Sequence, residues 1–376
     1  MSTKSIRRFT KQIFVISNIG IALFFLLGCY GSWFNPSLFW FTGFFALASF
    51  YLLLLLIGFI IFWVFTKPVM ILISVITILL AWMPLKHLVK LRLSSTFTMQ
   101  KQPENMRVMN WNVEHFDILE HKTHPERKQE MINMINSYQP DIACFQEMVG
   151  SDSIPNAINY IPNFMAGMEM TNYHYSYNWK VDFDGNHHFG IITFSKYPII
   201  NKQTVSYPPN DYNSIFQYID ILKNKDTFRI FNIHLQSLKF SHNNLRYIDD
   251  PSLKDEEDLK NSKNIISKFK IGFLKHRIQS ERIKKEMNKS PYPVIVCGDF
   301  NDVPNSYAYC TIGKGMKNAF TEKGTGIGRT FFSISPTLRI DNIFTDRRFS
   351  VEQYVCVKKK ISDHFPIIAD LYFKKE

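Results

Sequence analysis

Acidic residues are missing from the first 92 positions of this 376-residue chain. The same stretch holds eight basic ones: Lys4, Arg7, Arg8, Lys11, Lys67, Lys86, Lys90 and Arg92. All 32 Asp and Glu therefore lie in 93–376 beside 36 Lys and Arg, and the formal charge of +12 shrinks there to an excess of four. So small an excess gives little reason to expect a nucleic-acid-binding surface. Cysteine is scarce too: five residues with no CxxC or Cys/His spacing, which excludes a disulfide scaffold and leaves no zinc motif. An apolar content of 46% excludes a disordered chain. There is no Walker A loop, GxSxG elbow, HExxH helix or internal repeat.

What the first 92 residues do contain is apolar runs. Residues 13–33 form an uncharged run of 21, long enough to cross a bilayer core of roughly 30 Å. Residues 37–65 form a second, of 29, and 69–85 a third, of 17. Trp33, Trp40, Trp63 and Trp82 fall near the run ends, where interfacial aromatics concentrate. A cleaved signal peptide is the competing explanation of the first run, but two further runs follow it and no small-x-small cleavage site stands out. About three transmembrane helices are expected in 1–92. The basic residues before residue 13, together with Lys67, favour a cytoplasmic N-terminus, and three crossings then put the rest outside; a re-entrant pair of later runs would invert this. With no ionisable group inside the runs, an anchor is a better reading than a transporter. Residues 93–105 read as a linker.

From 106 to 376 short strand patterns alternate with occasional helices. Arg107–Val113 alternates as a strand, and Pro125–Tyr138 carries Met131, Met134, Ile135 and Tyr138 at helical spacing. Further strands are expected at 141–145, 190–195, 215–222, 228–235, 294–297, 339–344 and 365–372. A charged insertion, 239–262, leads into a long helix at 261–288 whose many Lys and Arg read as a solvated surface. Cys144 and Cys297 sit within apolar strands, as small hydrophobes do.

Polar residues recur where these strands end. Asn112, Glu147, His234, Asp299, Asn301, Asp341, Asp363 and His364 each follow or interrupt an apolar run. Singly, each has a structural explanation as a turn former, a helix cap or a core histidine. Together they form a chemically consistent set. Carboxylates and amide oxygens suit Mg²⁺ or Mn²⁺, and two histidines beside them suit phosphate-ester hydrolysis.

The blocks NWNVEHFD (110–117), QE (146–147), GIITFSKYPI (190–199), NIHL (232–235), GDFND (298–302), RIDNIF (339–344) and SDHFPI (362–367) resemble, in order, the motifs of the endonuclease/exonuclease/phosphatase superfamily. With the N-terminal runs, the chain looks like membrane-anchored bacterial members of that superfamily. The resemblance implies an α+β fold, a four-layer α/β/β/α sandwich of two mostly antiparallel sheets flanked by helices, with a divalent-metal-dependent phosphoesterase site at one sheet edge. Carried over, Glu147 is the principal metal ligand, helped by Asn112 and by Asp363. Asp299 and Asn301 position water and the scissile phosphate, His234 contacts a phosphate oxygen, and Asp341 orients His364, the general base. Glu114 stands where many nuclease relatives have Asp, and Asn342 where an aromatic is common. Phosphodiester hydrolysis at the membrane is the expected function. Its rivals are a strict nuclease, a phospholipid, sphingomyelin or inositol-phosphate phosphoesterase, and an inactive binding module. No protein partner is implied.

Overall fold

The computed structural model describes residues 3–92, 97–114, 124–151, 158–178, 186–206, 215–238, 244, 247 and 256–374. Residues 93–96 of the linker, His115, Phe116 and Asp117 of the first motif, and most of the expected insertion lie outside them.

The apolar N-terminal runs are helices: α1 Thr3–Tyr30, α2 Pro36–Phe39, α3 Thr42–Thr66, α4 Ile71–Leu80 and α5 Trp82–Leu88. Two helical stretches, Ser5–Trp33 and Thr42–Thr66, are long and apolar enough to cross a membrane. The third expected span is broken, because the helices on either side of Ala81 are bent by 72°. Pro84 explains the break. It has no N–H to donate to Leu80 four residues earlier and its ring would press on that carbonyl; the Tyr30 hydroxyl donates to Leu80 O instead, at 2.6 Å. A buried polar contact ties the bundle together, with Asn18 donating to Ser74 Oγ (2.9 Å) and accepting from Trp63 Nε1 (3.1 Å).

Beyond the bundle, the described residues form two six-stranded sheets. The first contains β1 Met106–Asn112, β2 Ile142–Ser151, β3 Asn172–Tyr177, β4 His187–Ser195, β11 Phe349–Cys356 and β12 Ile367–Phe373, in the order β11-β12-β1-β2-β4-β3. The second contains β5 Ile199–Ser206, β6 Ile215–Lys223, β7 Asp226–His234, β8 Val294–Asp299, β9 Lys317–Asn318 and β10 Asp341–Thr345, in the order β5-β6-β7-β8-β10-β9. Among these described strands, β1–β2 and β7–β8 pair in parallel and the other neighbours are antiparallel.

Alternation along the strands sorts side chains into layers. Val108, Ile142, Ile230, Ile295, Cys144 and Cys297 face inward, and fill a core between the two sheets. The outward residues of the first sheet pack on α6 Arg127–Tyr138 and α7 Ile161–Met168. Those of the second pack on α8 Glu256–Met287 and α9 Tyr307–Gly313; α10 Ala319–Lys323 follows β9. The result is the expected four-layer α/β/β/α sandwich. Residues 97–105 lie against the first sheet: Gln353 of β11 accepts from Thr98 N at 2.9 Å, and Arg107 donates to Met99 O at 2.8 Å.

The central strands approach closely. A Cβ on Gly298 would lie 2.2 Å from Ile233 O on the neighbouring strand. Gly298→Ala must therefore push β7 from β8, and we expect a loss of about 2 kcal/mol in stability, read by denaturant unfolding of the detergent-solubilised chain. An unchanged midpoint would contradict this packing.

Candidate active site

The site lies where the inward faces of both sheets change from apolar to polar. On β1 the inward series is Val108, Asn110, Asn112; on β7 it is Ile230, Asn232, His234; on β8 it is Ile295, Cys297, Asp299. Parallel registry sets His234 beside Asp299, and antiparallel registry sets Asp341 opposite the same Asp299.

Strict alternation would turn Glu147 outward after inward-facing Gln146. A bulge prevents this: β2–β4 registry jumps from Phe145↔Ile192 to Met148↔Gly190, so two β2 residues oppose one on β4. Glu147 takes a left-handed conformation there (φ 58°) and aims into the mouth. Asn301 is also left-handed (φ 46°), in a turn closed by its N–H donating to Asp299 Oδ1 at 2.8 Å. Asparagine tolerates that geometry, and a glutamate holds it only where its surroundings oblige it to.

All eight expected residues come together. The Asn112 amide nitrogen donates to Glu147 Oε1 (3.2 Å) and to Asp299 Oδ2 (3.1 Å), standing between two carboxylates. His234 Nε2 lies 3.6 Å from Asp299 Oδ2 and 3.8 Å from Glu147 Oε1. His364 Nδ1 is 2.8 Å from Asp341 Oδ2, while its Nε2 lies 3.8 Å from both Asp299 Oδ2 and Asp363 Oδ1. Asn301 Nδ2 donates to Leu235 O at 3.0 Å. Asp299 and Asp341 are buried, whereas the side chains of Glu147 and Asp363 keep 18% and 28% of their surface and line the opening.

Electrostatics follow from crowding. Burial, then the charges of Asp299 and Glu114, push the Glu147 carboxyl up to about 7 against the Asn112 hydrogen bond. Burial together with Glu114, Glu147 and Asp299 pushes Asp363 up to about 7 as well. For His364 burial opposes the charge, but Asp341 and Asp299 outweigh it and hold the imidazolium well above the ordinary histidine range.

Ligand atoms of Asp299, Asp341 and His364 lie within 4.8 Å of one another, close enough for a metal. The His364–Asp341 hydrogen bond already commits that nitrogen, however. Glu147 and Asp299 are the better oxygen donors for a hard cation, because the two carboxylates are held together against their repulsion. Asn112 turns its amide nitrogen toward them and its oxygen toward the Glu114 N–H (3.1 Å), so it would add an oxygen ligand with its amide turned over.

Several supporting residues had no role assigned from the sequence, although Asn110, Gln146, Asn232 and Ser362 lie within the motif blocks; Thr330 and His276 lie outside them. Gln146 Nε2 donates to Asn110 Oδ1 (2.9 Å) and to Asn232 Oδ1 (2.7 Å), joining the sheets beneath the site. Asn110 and Asn232 each precede a site residue by two positions, a period-two signal that could have revealed them. Thr330 Oγ1 accepts from Asp341 N at 3.1 Å, and Ser362 Oγ accepts from His364 N at 3.1 Å. His276 of α8, between Asp302 Oδ2 (3.2 Å) and Gln236 O (2.7 Å), clamps the 299–305 loop; no local pattern announces it.

Two packed sheets between helices, with acid, amide and imidazole groups gathered at one end, define a four-layer sandwich of the phosphoesterase type. Residues 109–364 match the model of the Endonuclease/Exonuclease/phosphatase family, and the chain belongs to that family, whose members hydrolyse phosphate esters and generally use a divalent metal. Residues 11–88 match a second model, described as a domain of unknown function. No curated protein matches the chain. Among solved structures, the endonuclease/exonuclease/phosphatase from Bacteroides vulgatus is similar at 19% identity and a TM-score of 0.50, covering 72% of this chain and 99% of that one. A family protein from Bacteroides thetaiotaomicron is 17% identical with a TM-score of 0.49, covering 73% and 100%. A mannosyl-6-phosphatase from Bacteroides thetaiotaomicron VPI-5482 is 17% identical with a TM-score of 0.47, covering 71% and 100%. The first of these likenesses shows the fold.

The His364–Asp341 pair is testable without turnover. In Asp341→Asn the burial penalty on the imidazolium stays while its main counter-charge goes, so the His364 pKa should fall by at least about one unit in histidine-selective NMR titration. An unshifted titration would contradict the pairing.

Proposed function

We propose that this chain is a membrane-anchored, divalent-metal-dependent phosphoesterase that hydrolyses phosphodiesters. One observation carries the reading: a carboxylate-bound imidazole, His364, and a second carboxylate, Glu147, held by the Asn112 amide, lie on either side of the shared carboxylate Asp299. Glu147 and Asn112 would hold Mg²⁺ or Mn²⁺, with Asp363 assisting at the mouth. Bound there, the cation supplies Lewis-acid polarisation of a phosphoryl oxygen and neutralises charge that grows in the transition state.

The protein's own groups do the rest. Asp299 and Asn301 orient a water and the phosphate, and His234 donates to a non-bridging oxygen. Asp341 fixes the His364 tautomer and ring plane, leaving Nε2 to take the water proton. The carboxylates that keep His364 protonated lose that hold once they are neutralised, which frees Nε2 as a base. The water oxygen forms a bond to phosphorus while one ester P–O bond breaks. The leaving oxygen takes up a proton, and the products are a phosphomonoester and an alcohol.

The bundle supports both attachment and orientation. Arg7, Lys11 and Lys67 line one cavity at the end remote from the sheets, whereas the other ends of α1 and α4 meet at Tyr30 and Leu80. Lys86, Lys90 and Arg92 at the sandwich end oppose a cytoplasmic N-terminus, but they are fewer than the five, Lys4, Arg7, Arg8, Lys11 and Lys67, on the other side, and the excess favours it, with the sandwich outside.

The full chain in detergent should cleave an aryl phosphodiester with Mg²⁺ or Mn²⁺ and stop in EDTA. His364→Ala should lower kcat at least about 10²-fold, the scale of a lost general base. Wild-type-like turnover in Glu147→Ala, Asp299→Ala or His364→Ala would sink the assignment.

A further inference from the structure

We propose that the membrane helices form part of the rim of this site, so that its substrate is the phosphodiester of an anionic membrane phospholipid. This rests on the phosphoesterase reading above and adds the substrate class.

Three segments that carry or touch site residues are docked on the N-terminal helices within a few positions of the chemistry. The first runs from Asn301 to Asn305, where the Asn305 side chain donates to Pro84 O (3.1 Å) and its Oδ1 meets His87 Nδ1 (2.8 Å) of α5. The second is the loop after Thr330. Phe331 bridges to the His364 backbone and packs on its ring at 4.8 Å, and four residues later Ser335 Oγ meets the Tyr51 hydroxyl of α3 at 2.9 Å. The third is the approach to Asp341, where buried Arg339 donates to His87 O and to Ile327 O. A helix bundle acting as a remote tether would have no need to touch these positions.

The contacted helices also mark a bilayer surface. The 72° bend lays α5 across the end of the bundle. Leu88 and Pro84 of α5 are buried, while Trp82 is 54% exposed with the Lys86 ammonium 5.6 Å above its ring. An aromatic and a lysine so placed fit the headgroup layer. The site therefore sits at the level of the headgroups.

Charge on the same rim agrees. Lys358, Lys359 and Lys360 are all exposed and lead through Ile361 into Ser362, Asp363 and His364. Lys360 lies 5.5 Å over the ring of Phe332, within the loop that reaches Tyr51, and Lys358 lies 4.6 Å over Phe365. Basic side chains beside aromatics at a membrane surface attract anionic headgroups. Hydrolysis then gives either diacylglycerol and a headgroup phosphate, or phosphatidate and a headgroup alcohol, one water consumed per lipid.

The test uses the full chain in nanodiscs of phosphatidylcholine and phosphatidylglycerol, with bis(4-nitrophenyl) phosphate, single-stranded RNA and supercoiled plasmid assayed alongside. We expect phosphatidylglycerol to be consumed with a divalent cation present. The double variant Lys358→Glu, Lys360→Glu should slow lipid cleavage by at least about ten-fold, the size of two lost lysine–headgroup attractions, and leave aryl-diester cleavage within about two-fold. Intact lipid beside cleaved aryl diester, preferred cleavage of RNA or plasmid, or an unaffected lipid rate in the double variant overturns the proposal while sparing the phosphoesterase reading. Failure on every substrate overturns that reading itself.

Discussion

The Gln146 amide, reaching from one sheet to the other, is the contact on which the site depends. Two sheets packed through apolar faces can slide with little change in buried area, because apolar contact is non-directional. Directional hydrogen bonds cannot slide in this way. Gln146 on β2 donates to Asn110 in its own sheet and to Asn232 in the opposite one, and Asn232 donates in turn to Ile192 O and Phe145 O. The three of these bonds that cross between the sheets all meet at Asn232, and a shift of one residue would leave its buried amide and the groups facing it without these partners, at a cost of several kcal/mol. The layer thereby fixes which residues of β1, β2, β7 and β8 face one another one step further along. Those residues are Asn112, Glu147, His234 and Asp299.

Above that layer the structure holds groups that repel. Glu147, Asp299, Asp341 and Asp363 crowd into one mouth, and the consequence is visible in the carboxyls of Glu147 and Asp363, both lifted to about 7. The bulge at Glu147 and the turn at Asn301 also hold residues at positive φ. Strain and repulsion of this kind persist where the scaffold over-determines the geometry, and they concentrate at functional sites. The Asn112 amide and the His364 imidazolium offset part of the repulsion, and a divalent cation would offset more.

Much of this was legible along the chain. Alternation in VMNWN, RIFNIH and VIVCGD shows that polar residues end the inward face of these strands, which makes Asn112, His234 and Asp299 legible; the other five, picked as polar residues at or just past strand ends, converge with them. The inward turn of Glu147 was not legible, since alternation predicts the opposite and a bulge depends on the partner strand. Strands β3, β5 and β11 were missed because their faces are only half-buried, leaving weak periodicity; β5, for example, is exposed or half-buried along its whole length. The third apolar run hid a break, as hydropathy has no term for the carbonyl that Pro84 strips of its donor. Contacts such as Tyr51–Ser335, 284 residues apart, leave no local trace at all. The place of the charge was legible too: eight of the twelve excess positive charges lie in the first 92 residues, which form the apolar N-terminal helices.

The central claim is that the polar end of the inter-sheet layer forms a cation site around Glu147 and Asp299. Calorimetric titration of the full chain with Mn²⁺ tests it most directly. The account predicts saturable binding that is abolished in Glu147→Gln and in Asp299→Asn, with both variants folded by circular dichroism. Binding by these folded variants with the affinity of the unaltered chain would contradict it.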